Sequence, residues 1–99
     1  MQFKAEDVEV VNNEAAARFE ASVGDETAYL TYEHQPGRII YDHAKVPPVL
    51  EGHGLAGKLT KTALDYARAN GLKVVPVCPY VAAYIRKHPE YQDLVTTGS

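Results

Sequence analysis

At Gly52-His53-Gly54 the hydrophobic pattern of this chain changes period, and that change constrains the fold more than any other feature. Before it, apolar and polar residues alternate, which is the signature of half-buried strands. Val8 to Val11 is a short apolar run closed by the turn pair Asn12-Asn13. Ala17 to Val23 and Ala28 to Glu33 alternate strictly, and Pro36-Gly37 supplies a turn before Arg38 to Val46. In this fourth strand Ile40, Asp42 and Ala44 share one face, and Ile39, Tyr41 and His43 the other. After the glycines, apolar residues recur at Leu55, Leu59, Ala63 and Ala67, with Ala56 and Leu64 widening the stripe. That is the face of a helix, with Lys58, Lys61, Thr62, Asp65 and Arg68 on its other side and Asn70-Gly71 as its stop. Leu72 to Cys78 reads as a fifth strand, Val81 to Lys87 as a second helix ended before Pro89, and Thr96 to Ser99 as a frayed tail.

The predicted class is α+β with a mixed sheet: an antiparallel four-strand meander, a helix, one parallel strand and a short C-terminal helix. Short turns imply the meander, and a helix between two strands implies a parallel pair with a right-handed crossover. Pro76 cannot donate to a ladder, so the fifth strand belongs at an edge or carries a bulge.

Composition removes several classes. At 99 residues the chain is expected to be a single domain spanning 1–99, with room for no ordinary Rossmann domain or nucleotide triphosphatase. A net charge of −3 argues against non-specific nucleic-acid binding. One cysteine forms no internal disulfide, and the four histidines do not cluster as a structural zinc site would. No apolar stretch approaches a membrane span, and the start Met1-Gln2-Phe3-Lys4-Ala5-Glu6-Asp7 lacks an apolar signal core. The expectation is a small cytoplasmic protein with no membrane or nucleic-acid partner.

The loop from Glu51 to Leu59 joins a strand to a helix, where glycines let backbone amides approach a phosphate and the helix start adds about half a positive charge. Gly52, Gly54 and Gly57 satisfy the dinucleotide pattern G-x-G-x-x-G. Pro47-Pro48 interrupts the approach, however, the sheet before it is antiparallel, and no carboxylate ends the next strand. Gly52 to Lys58 also satisfies G-x-x-x-x-G-K, but Leu59 stands where a P-loop needs Ser or Thr. Both readings fail on context.

A third reading fits. The order meander, glycine loop, helix, parallel strand and short helix resembles the GNAT acetyltransferase superfamily, whose acyl-CoA loop reads Arg/Gln-x-x-Gly-x-Gly/Ala. Gly54 and Ala56 match its last two positions, whereas Glu51 departs from the first. The blocks Val46-Pro47 to Ala56, Ala63 to Arg68, Val75 to Tyr80 and Ile85 to Tyr91 resemble the small YjdJ-like group within that superfamily. His43-Ala44-Lys45-Val46 stands where that group often reads His-Thr-Glu-Val.

The resemblance implies acetyl-CoA as donor and an amine, of a protein, peptide or other kind, as acceptor. It implies that the fourth and fifth strands splay apart and that the pantetheine arm pairs with the backbone of His43 to Val46. The pyrophosphate would rest on the amides of His53, Gly54, Leu55, Ala56 and Gly57 beside Gly52. Lys58 is either a further cation for the phosphates or a solvated helix charge. Tyr84 is the candidate acid for the leaving thiolate, or a core residue, with Tyr80 as the second candidate. Cys78 is either a nucleophile or a wall of the pocket. His43 is either a general base or a pocket wall, with Asp42 and Glu51 as alternative bases. His53 can donate to a phosphate oxygen, and His34 and His88 read as surface residues. The competing functions are a CoA-binding module with little transferase activity and a protein-interaction domain. The oligomeric expectation is a monomer or weak dimer. Larger members place two helices between the first two strands to cover the acceptor. Here Asn12-Asn13-Glu14 makes that link, which predicts a shallow, open acceptor site.

Overall fold

The computed structural model describes residues 2–96. Strands β1 (Val10–Asn13), β2 (Arg18–Val23), β3 (Glu26–Gln35), β4 (Arg38–Lys45) and β5 (Lys73–Pro76) form one sheet in the order β1-β2-β3-β4-β5. The first four pair antiparallel, and β5 runs parallel to β4. Helix α1 (Leu55–Ala69) connects that parallel pair, and α2 (Pro79–Lys87) follows β5. This is the mixed architecture expected from the change of period. Pro76 lies in the edge strand, where its missing N–H costs no interior ladder bond.

The helical stripe explains why the sheet has a core on one face. Leu55, Leu59, Ala63, Leu64 and Ala67 are buried against Phe19, Leu30, Ile39, Tyr41 and Val74. Each such large side chain contributes about 1.5–3 kcal/mol by leaving water. Tyr41 is wholly buried, and its hydroxyl donates to the Ala63 carbonyl at 2.6 Å. Burial pushes its ionisation far up, so the phenol stays a donor. The helix ends on Gly71 at φ +66, with Gly71 N–H on Arg68 O and Leu72 N–H on Ala67 O at 2.8 Å, a glycine cap that turns the chain into β5.

Four local expectations change. The pair Asn12-Asn13 is strand, opposite Phe19 and Arg18, and not turn. The turn falls at 14–17 because the Asn13 side chain accepts from Ala16 N–H and Ala17 takes φ +54. In β4, Thr31 opposes His43 while Tyr32 opposes Tyr41, so Asp42 is an extra, bulged residue held by the Thr31 hydroxyl. The bulge breaks the alternation. Ala44 returns to the core face opposite Leu30, and His43 moves to the outer face, its ring 6.2 Å from that of Tyr29. Strand β5 stops at Pro76, short of Cys78, because Val77 N–H turns back to Val75 O. Finally, Thr96 is tied down, its N–H donating to Val74 O at 2.9 Å; the rest of the expected frayed tail lies outside the described residues.

Candidate acyl-CoA site

After the pair Tyr41–Pro76, β4 and β5 part. Two features mark the parting: Val77 N–H, the next donor of β5, turns back to Val75 O at 3.0 Å, and the Asp42 bulge re-aims β4 at the same level. The last link is Cys78 N–H to Tyr41 O at 2.8 Å. Beyond it, the β4 backbone at 43–45 has β3 on one side and, among the described residues, no strand on the other.

The glycine loop closes the end of this gap. Gly52 and Gly54 take φ +83 and +84, a region that side chains with a Cβ rarely occupy. Gly54 is the residue before α1, and the first helical bond is Lys58 N–H to Gly54 O at 3.1 Å. The amides of Leu55, Ala56 and Gly57 therefore precede the helical ladder and point out of the helix end. In front of them is a cavity of about 340 Å³ lined by Val46, Leu50, Glu51, Gly52, Gly54, Leu55, Ala56, Gly57 and Tyr80. Six of the expected cofactor residues meet here: Val46, Gly52, Gly54, Leu55, Ala56 and Gly57. A Cβ built on Gly57 would lie 3.5 Å from the Tyr80 hydroxyl and 3.9 Å from Tyr84 Cε2, so the missing side chain leaves open the space between α1 and α2.

The other candidates are placed differently. Lys58 turns its ammonium away from the loop and gives it to the carbonyls of Ala5 at 2.9 Å, Glu6 at 3.1 Å and Val8. His53 packs on Phe3, ring centroids 4.3 Å apart, outside the first cavity. Cys78 is only 3% exposed and precedes α2, while Tyr80 is 43% exposed and lines the cavity. Tyr84, one turn on, faces Gly57 from behind Tyr80 and stacks on His88 at 3.9 Å. Burial raises its ionisation, so it holds its proton at neutral pH. His88 is half-buried rather than a free surface residue, its Nδ1 2.8 Å from Tyr84 O. His43 does not line the cavity. The prominence of Tyr80 follows from Pro79: proline at the first helical position starts α2 two residues before the expected Val81. Tyr80 and Tyr84 then stand one turn apart on one face, with ring centroids 6.5 Å apart.

The donor set suits an anionic, extended ligand with an amide-bearing arm. Outward amides and a helix start serve a pyrophosphate, and an unpaired strand edge serves an amide chain. Among the described residues no cluster of His, Cys, Asp or Glu fits a metal, and no helix is long and apolar enough to cross a membrane.

Residues 18–94 match the family model for GCN5-related N-acetyl-transferase. Protein NATD1 of Gallus gallus is 37% identical over 68 residues, which is 68% of this chain and 62% of that protein. Protein NATD1 of Homo sapiens is also 37% identical over 68 residues, covering 68% of this chain and 60% of the relative. The chain thus spans less than two thirds of the length of these curated relatives. The NMR structure of a GCN5-like protein from Staphylococcus aureus superposes with a TM-score of 0.70 at 28% identity, over 89% of this chain and 87% of that one.

Proposed function

The chain belongs to the GCN5-related N-acetyltransferase family, and we propose that it moves an acetyl group from acetyl-CoA to an exposed amine. The observation that carries this reading is the cavity in front of the α1 amides, set at the mouth of the gap between β4 and β5. Acetyl-CoA, when bound, supplies an activated acyl thioester. The amides of Leu55, Ala56 and Gly57 hold its pyrophosphate, and the free backbone of His43 to Val46 holds its arm. Tyr80 and Tyr84 both stand at the α1–α2 junction, and the hydroxyl of either is the candidate to donate a proton to the leaving thiolate. Cys78 is a wall of the gap in this reading, because its buried position before α2 brings no base to it that the described contacts show. His43, on the outer sheet face, is the nearest imidazole to the open strand edge and the candidate to take a proton from the amine.

The test is release of free CoA in the presence of amines and peptides, with calorimetry for CoA binding. Tyr80→Phe and Tyr84→Phe are expected to separate the two acids: the true donor loses about 10²–10⁴-fold in kcat with CoA affinity retained. An acetyl adduct on wild-type protein that vanishes in Cys78→Ala would return Cys78 to the nucleophile role.

Glu51 favours a second reading, a CoA-binding module with little transfer. Glu51 is in the lining of the cavity, at the position where the family prefers Arg or Gln. That reading predicts CoA binding with no amine-dependent release of CoA.

A further inference from the structure

A second cavity, of about 480 Å³, lies on the other side of the same loop, lined by Gln2, Phe3, Lys4, Asp7 and His53. The first cavity takes Gly52 and Gly54, and the second takes the His53 between them. The floor of the second is a pair of rings, Phe3 on His53 at 4.3 Å and 34°. Lys4 and Asp7 add one cationic and one anionic residue to its lining. Nothing in the acyl-transfer chemistry uses these groups.

What holds this wall in place is Lys58. Its ammonium satisfies the carbonyls of Ala5, Glu6 and Val8, which lie about fifty residues away in sequence and directly after Phe3 and Lys4. A lysine with three protein acceptors is a fixed strut, not a free phosphate cation. Beside it, the Cβ position of Gly54 is 3.8 Å from Ala5 Cβ, so the N-terminal segment lies directly on the loop.

Resting on the acetyl-CoA reading above, we infer that residues 2–7, strapped down by Lys58, form a recognition wall for the nucleotide end of the donor, making the protein selective for CoA over donors that carry only the phosphopantetheine arm. A base stacks on the Phe3–His53 floor, Lys4 meets the 3′-phosphate, and Asp7 accepts from the base amino group or a ribose hydroxyl. Lys58 is a positioning residue: it touches no part of the donor.

The test is calorimetry of the full chain with three ligands: CoA, dephospho-CoA, which lacks the 3′-phosphate, and phosphopantetheine. Phe3→Ala is expected to weaken CoA about tenfold, the worth of one base–aromatic stack, and to leave phosphopantetheine unchanged. Lys4→Ala is expected to weaken CoA but not dephospho-CoA. Lys58→Met is expected to weaken CoA selectively, as Phe3→Ala does, and to speed amide exchange at 5–8. Equal losses for CoA and phosphopantetheine in Lys58→Met would show a merely structural role and overturn the wall. So would unchanged CoA affinity in both Phe3→Ala and Lys4→Ala while wild-type protein binds CoA. Wild-type protein that binds neither CoA nor phosphopantetheine would overturn the acetyl-CoA reading itself, and this inference with it.

Discussion

Gly54 and Glu51 set the character of the glycine loop from opposite directions. Gly54 sits at φ +84, so Gly54→Ala forces a Cβ into the left-handed region at about 1–2 kcal/mol and rotates the amides that follow. The expected outcome is a matching fall in denaturation midpoint together with a loss of CoA affinity. Glu51, an acidic residue, is in the lining of the same cavity. Removing that charge in Glu51→Gln is expected to tighten CoA about two- to fivefold at low salt, with the gain shrinking as salt rises. Calorimetry at two ionic strengths checks it, and weaker binding by the variant would mean that Glu51 faces an amine or hydroxyl instead. Among the site residues, the glycines and Ala56 are legible in the sequence because their role is conformational and local. Lys58 is not, because its partners lie about fifty residues upstream.

At the scale of elements, stability rests on how α1 lies on the sheet. Leu59 is buried at the centre of the stripe, and Leu59→Ala is expected to cost about 2–5 kcal/mol in chemical denaturation. Tyr41→Phe removes the hydroxyl that donates to the Ala63 carbonyl and is expected to cost about 0.5–1.5 kcal/mol without changing secondary structure. The C-terminal turn at Pro89–Leu94 docks on α1 through polar contacts that periodicity does not announce. Tyr91 donates to Asp65 at 2.7 Å and Arg68 pairs with Asp93 at 2.9 Å, while Lys61, one turn before Asp65 on α1, pairs with the same carboxylate at 2.7 Å. Burial acts to raise the Asp65 carboxyl, but Lys61 and Tyr91 outweigh it and hold it below the ordinary range. The Arg68 guanidinium does the same for Asp93, and that of Arg18 for Glu20. The folded chain therefore binds fewer protons than the unfolded one in moderate acid. These contacts stabilise it above the ordinary carboxylate range of about pH 4 and are lost as pH falls through the depressed values. Denaturation midpoints are expected to drop below about pH 4, and Asp65→Asn to flatten that drop; because the groups are largely exposed, the effect is modest.

For the whole molecule, the sheet is covered by α1 on one face, and the β1–β2 link is only the short turn Glu14–Ala16. With no α-helix in that link, the outer face near Tyr29, Thr31 and His43 stays accessible. An open acceptor side is expected to process peptide or protein amines with higher kcat/KM than small free amines of equal basicity, as CoA release would show; the reverse ranking would require an enclosed acceptor pocket.

By itself the sequence determined the elements, their order, the parallel pair and the glycine loop that opens α1. Each of these follows from periodicity, glycine and proline, which act within a few residues. The tertiary structure alone decided three things: that Asp42 bulges and sends His43 to the outer face, that Tyr80 rather than Cys78 lines the cavity, and that Lys58 straps the N-terminal segment instead of meeting a phosphate. Each depends on the register of one segment against another distant in the chain, and local pattern carries no information about that register.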